Sequence, residues 1–247
     1  MGPTEIAIFL SWFAGAFVAG VSGLGAALVA VPILAFFLPM RENVLLSCLL
    51  LFSLVVVMVL QHRRHARPMS ALRMLAGAVP GTLVGVWILD RVPAWALEAA
   101  IGATLVLFLA WQLAGRGARG SESWGLGAFV GGVSSMLGAA ISTDGPPAAA
   151  YALYCGWPPR AYLGTLALFY VTRGAIGIAT QAWYGLYTEQ VLHYYYYGLP
   201  AVILGTVLAL PVVKRISHER FRAVVLVLIA LGAAACLGRA VTGVVGC

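Results

Sequence analysis

Two charged residues, Arg173 and Asp144, stand alone within long apolar stretches of this 247-residue chain. A charge in such surroundings is costly, and it is usually functional, paired, or both. The guanidinium of Arg173 donates hydrogen bonds in a planar fork, which suits a carboxylate, a sulfonate or sulfite. Arg173 therefore either binds an anion directly or forms an internal ion pair with Asp144. We favour direct anion binding.

Asp144 has two candidate roles of its own. A carboxyl group buried beside a cavity holds a proton more readily unless an opposite charge offsets the burial, so this residue could carry a coupling proton. It is also followed by Gly145-Pro146, and an aspartate shortly before a proline is common at the start of a helix. Proton coupling and helix capping both stay open for Asp144.

Two segments rich in glycine and serine offer further contacts for an anion. The first covers residues 20–25, and the second covers residues 134–138 and continues through residues 142–147. Glycine lets backbone N–H groups approach a ligand, hydroxyl groups add donors, and a helix that begins after a break carries a partial positive charge. The alternative is that the small residues only allow close helix packing. The predicted substrate-binding residues are Ser22, Gly23, Gly25, Ser134, Ser135, Gly138, Thr143 and Arg173.

These two segments belong to an internal repeat. Residues 15–28 read GAFVAGVSGLGAAL, and residues 127–141 read GAFVGGVSSMLGAAI, with Met136 as the one inserted residue. Farther along the chain, Gly81-Thr82 matches Gly205-Thr206, and Ser47 aligns with Thr165. An ordered series of matches indicates a duplicated unit. We predict a first repeat at 1–115, a linker at 116–123 and a second repeat at 124–247.

The composition requires a membrane protein. Hydrophobic residues make up 62% of the chain and charged residues only 9%, which is too few to cover a soluble fold. The net charge of +7 comes from basic residues in short loops, a pattern that sets membrane orientation, so we expect no nucleic-acid partner. The four cysteines form no CxxC pair, and we expect no disulfide framework, metal or cofactor. The amino terminus lacks the features of a removable signal peptide.

Each repeat contains one long interrupted apolar region followed by three plain apolar spans, which predicts an all-α membrane protein. The interrupted regions lie near 4–38 and 124–155, and glycine, serine or proline breaks each of them. The plain spans lie near 44–61, 72–89, 95–114, 161–183, 193–213 and 222–241.

Loop charge predicts how these regions cross the membrane. If each interrupted region enters and leaves on one face, only Arg41, Arg91 and Arg239 lie outside, as the positive-inside rule requires. The basic residues on the inner side are then Arg63, Arg64, Arg67, Arg73, Arg116, Arg119, Arg160, Lys214, Arg215, Arg220 and Arg222. This predicts two re-entrant hairpins, three crossings per repeat, repeats of inverted topology, and both termini in the periplasm of an inner membrane. The hairpin tips would then face each other across a cavity.

The repeated break resembles that of the sulfite exporter TauE/SafE family over nearly the whole chain. The resemblance rests on residues 20–25 with Val31-Pro32 following, and on residues 132–138 with Gly145-Pro146 following. Alanine pairs at 26–27 and 139–140 stand where family members commonly carry glycines. The resemblance implies movement of sulfite or of organosulfonates such as sulfoacetate, outward, and driven by the proton gradient.

Three classes of function can be compared with these residues: a transporter, an enzyme and a scaffold. The favoured one is a secondary transporter of a small sulfur-containing anion, with another small carboxylate or an inorganic anion as the alternative cargo. An intramembrane enzyme would need a nucleophile with a base, a metal site or a carboxylate pair at depth, and Asp144 with Arg173 supplies none of these. A membrane scaffold would not require a buried Arg173. The expected partners are the anion and the lipid bilayer, with a homodimer left open.

Overall fold

The computed structural model of the chain describes residues 2–22, 25–113, 120–213, 227 and 230–241. Within these ranges the regular structure is helical throughout, as the apolar spans predict, and a short 3-10 turn covers Arg63–His65. The helices are α1 (Pro3–Ser22), α2 (Ala26–Leu34), α3 (Met40–His62), α4 (Pro68–Arg91), α5 (Ala94–Leu113), α6 (Trp124–Ile141), α7 (Gly145–Tyr154), α8 (Pro159–Trp183), α9 (Glu189–Val213) and α10 (Ala230–Val241).

Seven of these helices are long and apolar enough to cross a membrane: α1, α3, α4, α5, α6, α8 and α9. Large apolar side chains also lie on the surface, and Trp183, Phe129 and Leu107 are 90%, 69% and 69% exposed. A water-soluble protein does not cover itself with such residues, whereas lipid tails accommodate them. The chain is therefore a multi-pass membrane protein.

The two interrupted apolar regions each form a long helix followed by a short one. In the first region, α1 has 20 residues and α2 has 9; in the second, α6 has 18 residues and α7 has 10. At 1.5 Å per residue, α1 and α6 are long enough to traverse most of the hydrocarbon core on their own. The seven candidate spans include α1 and α6 in addition to five of the six predicted crossings. The described part of the sixth, Ala230–Val241, is shorter than a membrane span.

The chain forms two compact units, and each takes segments from both sequence repeats. The first unit contains Met1–Leu50, Val92–Ala114 and Thr188–Cys247, and the second contains Leu51–Arg91 and Gly115–Tyr187. The division falls inside α3. The first unit therefore holds α1, α2, α5, α9 and α10, and the second holds α4, α6, α7 and α8.

In the second unit, α4 and α6 lie against each other through small residues. A methyl group added at Gly77, Gly81 or Gly85 of α4 would collide with the backbone of Ala128, Gly132 or Met136 of α6, respectively. The residue numbers rise together along both helices, so α4 and α6 run parallel. Glycines four residues apart allow this close approach because they line one face of the helix. Gly77, Gly81 and Gly85 therefore serve close packing between α4 and α6.

The first unit repeats this arrangement with α1 and α9. A methyl group at Gly20 would meet Ala209 and Thr206, and one at Gly205 would meet the backbone of Phe13. Near the other end of α1, Glu5 lies 3.3 Å from the ring nitrogen Nε2 of His193. These pairs also rise together in number, so α1 runs parallel to α9 over most of its length.

Candidate functional site

The break between α6 and α7 is made by Ser142 in a left-handed backbone conformation, with φ 54°. This residue is the only non-glycine with positive φ among those that the structure describes. Its amide donates to the carbonyl of Gly138, and the Thr143 amide reaches back to the carbonyl of Leu137 at 3.4 Å. These bonds satisfy two carbonyls at the end of α6 and direct the chain to Asp144, the residue before α7.

Arg173 of α8 reaches this break and pairs with Asp144. Its Nη2 lies 2.5 Å from Oδ2 of Asp144, and the two side chains are only 6% and 14% exposed. The structure thus contains the ion pair that was the alternative interpretation of Arg173. Asp144 occupies the predicted position at the start of α7, but its side chain makes no capping hydrogen bond there, because its carboxylate faces the guanidinium. One N–H of the guanidinium stays unused, since no described group pairs with the Nε of Arg173.

Gly138 makes room for this pair. A methyl group at Gly138 would collide with Nη1 of Arg173 and would lie 2.9 Å from the Cβ of Asp144. Among the predicted site glycines that the structure describes, Gly138 is therefore the one that directly borders the charged groups. The predicted residue Gly138 and the two charged residues form one contact cluster in the second unit.

The three predicted hydroxyl residues of this segment behave differently from one another. Ser134 donates its hydroxyl hydrogen bond to the backbone carbonyl of Asp144 at 2.7 Å, and Thr143 donates to the carbonyl of Ile141 at 3.0 Å. Both bonds hold the break in shape. Ser135 is fully buried, yet no described group pairs with its hydroxyl oxygen. Ser135 is thus the predicted hydroxyl most available to a ligand.

The first glycine-rich segment is described only in part. The side chain of Ser22 and the whole of Gly23 lie outside the described residues. Gly25 precedes α2 with φ 102°, a left-handed conformation that favours glycine, and its carbonyl accepts the first hydrogen bond of that helix, from Val29. Gly25 therefore turns the chain into α2, and a direct role in binding stays a prediction.

The first turns of α2 and α7, which follow the two breaks, differ in the backbone N–H donors that they present. Pro146 and Pro147 occupy the first turn of α7, and proline has no backbone N–H. Two of the backbone N–H groups that a helix start normally presents are therefore absent at α7. An anion at this break would depend mainly on side-chain donors, above all the guanidinium of Arg173.

Gln181 of α8 links the same break to the end of that helix. Its amide nitrogen lies 3.4 Å from the carbonyl oxygen of Ala139, and its amide oxygen accepts a hydrogen bond of 2.7 Å from the hydroxyl of Tyr187. Tyr187 therefore sets the orientation of the amide, which is completely buried. Gln181 is recognisable in the sequence as a polar residue within an apolar span, whereas its partner Tyr187 belongs to no recognisable pattern.

A second polar cluster, which sequence analysis missed, surrounds Glu122. The carboxylate accepts hydrogen bonds from Arg67, Ser70, Arg73 and Trp157 at 3.1, 2.6, 2.8 and 2.7 Å. Burial raises the pKa of Glu122, but the hydrogen bonds from Ser70, Trp157 and Arg67 outweigh it and hold the pKa below its ordinary value. This cluster joins the start of α4 to the residues that flank α6 and α7. Its one sequence signal was a single acidic residue in a linker with two arginines.

The first unit contains an ion pair of its own, between buried Glu98 and half-buried Arg239. Oε1 of Glu98 accepts hydrogen bonds from Nε and Nη2 of Arg239 at 3.1 and 3.0 Å, and Glu98 is 5% exposed. The Arg239 guanidinium also lies over the ring of Phe36, 5.6 Å from its centroid. Nε and Nη2 of Arg239 both donate to one oxygen of Glu98, so this pair resembles a structural link between α5 and α10 more than a ligand site.

The chemistry open to the α6–α7 break is recognition of an anion. A buried guanidinium with an unpaired Nε–H and a hydroxyl without a partner are donors, and neither is a nucleophile with an adjacent base. No group of three or more His, Cys, Asp or Glu residues within the described ranges is arranged to hold a metal ion.

Comparison with known proteins identifies the family but supplies no individual relative. No curated protein and no solved structure matches the chain. The family model described as "Sulfite exporter TauE/SafE" matches residues 7–236, which is nearly the full length and includes both breaks and the ion pair. Together with a multi-pass helical fold, this match shows that the chain belongs to the sulfite exporter TauE/SafE family of membrane transporters.

Proposed function

We propose that this protein is a secondary transporter of a small sulfur-containing anion, such as sulfite or an organosulfonate like sulfoacetate, and that it exports this anion. The observation that carries the proposal is Arg173, a residue that is only 5% exposed and whose guanidinium lies at the break between α6 and α7. Family membership supports the sulfur-containing cargo. In this proposal the protein moves the anion without altering it, and no enzymatic step is assigned.

Arg173 is the proposed principal contact. Its guanidinium has five N–H donors in a planar fork, and the contact with Asp144 engages Nη2. The Nε–H remains for a second oxyanion, with the hydroxyl of Ser135 as an additional donor. Ser134, Gly138 and Thr143 contribute by shaping the break around this position. Ser22, Gly23 and Gly25 stay predicted contacts from the first repeat.

Asp144 gives this site a second property. Its carboxylate contacts the same guanidinium that an anionic substrate would contact, so the two negative groups compete for Arg173. A proton on Asp144 would remove that competition, which makes this residue the proposed carrier of a coupling proton. The helix-capping alternative loses support, because the side chain makes no capping bond.

The inverted repeat is also part of the proposal, and the helix contacts support it. The long helix of each repeat lies parallel to the second plain span of the other repeat: α1 lies against α9, and α6 against α4. The close contacts fall at nearly equivalent positions, since Gly20 meets Thr206 while its counterpart Gly132 meets Gly81. Such an exchange of partners is the arrangement expected from duplicated halves. The six crossings, the re-entrant hairpins and the periplasmic termini in an inner membrane complete this topology.

Transport of another small carboxylate or of an inorganic anion is the second candidate. It is favoured by the same guanidinium, because a carboxylate also fits the planar fork of Arg173. The two candidates differ only in the anion bound.

A thermal-shift panel on the purified protein tests both candidates. The panel contains sulfite, sulfoacetate, taurine, sulfate and acetate at one ionic strength, with sodium chloride as the control. A ligand that binds only the folded state raises the unfolding temperature. We expect sulfite or sulfoacetate to stabilise the protein more than acetate does. A larger shift with acetate would favour the second candidate, and no shift with any anion would contradict an anion site.

A further inference from the structure

Buried polar atoms without partners are concentrated in one part of the second unit. Among the described residues, seven buried side-chain nitrogen or oxygen atoms have no hydrogen-bond partner. Four of the seven are Oγ1 of Thr82, Oγ of Ser135, the hydroxyl of Tyr170 and Nε of Arg173. Thr82 and Ser135 are completely buried. An unpaired buried polar group is destabilising, so four of them together require an explanation.

These four groups lie around a single junction of α4, α6 and α8. A methyl group at Gly177 would lie 4.0 Å from the methyl group of Thr82, and Gly177 is one helical turn after Arg173. On α6, the guanidinium of Arg173 lies against Gly138, which is three residues after Ser135. Tyr170 precedes Arg173 by three residues on α8. Residues three or four apart are neighbours on a helix surface, so each group is within about one turn of the same junction.

The repeat shows that this set of donors is particular to one half of the chain. Thr206, the counterpart of Thr82, donates its hydroxyl to the carbonyl of Val202 in its own helix at 2.8 Å. With the alignment of Ser47 and Thr165 extended along the helix, Tyr170 falls opposite Phe52, which has no hydroxyl. Ser135 falls opposite Gly23, which has no side chain. Helix packing common to the two halves therefore does not explain the unpaired donors.

All four groups can donate a hydrogen bond, and none of them is anionic. A ligand that satisfies them together must present several acceptor oxygens on one negatively charged centre. A sulfonate or sulfite group has three such oxygens, whereas a carboxylate has two. We propose that Thr82 and Tyr170 are additional substrate-binding residues, whose hydroxyl groups join Ser135 and Arg173 in a subsite selective for an anion with three oxygens.

This inference rests on the proposed function. It extends the site from one charged contact, Arg173, to a set of four donors that determines which anion binds. In the ligand-free protein, the unpaired hydroxyls lower stability slightly. In the bound state, each hydroxyl donates to an oxygen of the anion. Arg173 supplies the charge, and the hydroxyls distinguish one oxyanion from another.

Isosteric variants of the full-length protein test the proposal. Thr82→Val and Tyr170→Phe each remove one hydroxyl with little change in shape. The matched controls are Thr206→Val and Tyr194→Phe, whose hydroxyls bond within the protein: Thr206 donates to Val202, and Tyr194 accepts from Gln190. Binding of methanesulfonate and of acetate is measured by calorimetry, because these anions carry the same charge but three and two oxygens. The unfolding temperature of each ligand-free variant is measured alongside.

We expect Thr82→Val and Tyr170→Phe each to weaken methanesulfonate binding about ten-fold, the usual effect of losing a hydrogen bond to a charged group. Acetate binding should change less, and the controls should bind both anions normally. The ligand-free unfolding temperature of Thr82→Val should not fall, since the lost hydroxyl had no partner. Unchanged methanesulfonate binding in both variants would overturn the subsite while leaving Arg173 as the anion contact. Equal weakening of both anions with a lower ligand-free unfolding temperature would also overturn it. Failure of the wild-type protein to bind any anion would instead refute the proposed function itself.

Discussion

The pairing of Arg173 with Asp144 allows a decisive test of whether Arg173 binds the anion. The stability of the protein and its affinity for the anion should respond differently to the same substitutions. The two groups are 2.5 Å apart and almost inaccessible to solvent. Arg173→Gln leaves a buried carboxylate without its partner, and Asp144→Asn leaves a buried guanidinium. Breaking a buried ion pair from one side typically costs about 3–5 kcal/mol. Removing both charges should recover most of this loss, since neither group is then left charged and unpaired.

Anion affinity should follow another pattern. If Arg173 binds the anion, Arg173→Gln removes a charged hydrogen-bond donor, and the affinity falls by about 1.5–3 kcal/mol, or roughly 10- to 150-fold. Asp144→Asn removes the internal competitor and should leave the affinity equal to or higher than that of the wild type. The double variant should be stable but should still bind poorly. Arg173→Lys should also bind weakly, because an ammonium cannot reproduce the planar fork.

The assay is a double-mutant cycle with two readouts for each protein: the unfolding temperature without ligand, and the affinity for sulfite by calorimetry. Arg173→Gln, Asp144→Asn and the double variant are compared with the wild type under identical detergent and pH. Near-native affinity in the double variant would refute the assignment of Arg173 as an anion contact and would leave it a purely structural partner of Asp144. We expect the affinity loss to persist while stability returns.

Two further predictions concern the break and the topology. Gly138→Leu should abolish transport while the protein still inserts, since even a methyl group there would collide with Arg173; Gly125→Leu on the same helix is the matched control, because the space around Gly125 is open. Normal transport by well-expressed Gly138→Leu would argue against a site at this break. Single cysteines introduced at positions 66 and 118 should react with an impermeant label only from the cytoplasmic side, as the loop charges predict, and periplasmic labelling of both would refute the topology.

The general architecture could be predicted because it depends on local properties of the chain. The six plain spans were located from apolar composition and length, and five of them coincide with long helices while the sixth includes α10. The family could be recognised from the repeated break, because glycine and serine within an apolar region are visible without any tertiary contact. Which long helix lies against which was not predictable. The exchange of partners between repeats, with α1 on α9 and α6 on α4, depends on contacts between distant segments.

The candidate site likewise combines features that the sequence predicts with features that only the tertiary structure decides. Sequence alone identified Arg173, Asp144 and Ser135 as polar residues in apolar regions, since the cost of burying such groups makes each one conspicuous. Only the tertiary structure decided that Arg173 faces Asp144 and that the hydroxyls of Ser135 and Thr82 are left without partners, while that of Thr206 is not. The sequence does not distinguish a threonine whose hydroxyl bonds within its own helix from one whose hydroxyl does not. The difference arises from the neighbouring helices, whose positions are set by packing between segments far apart in the chain.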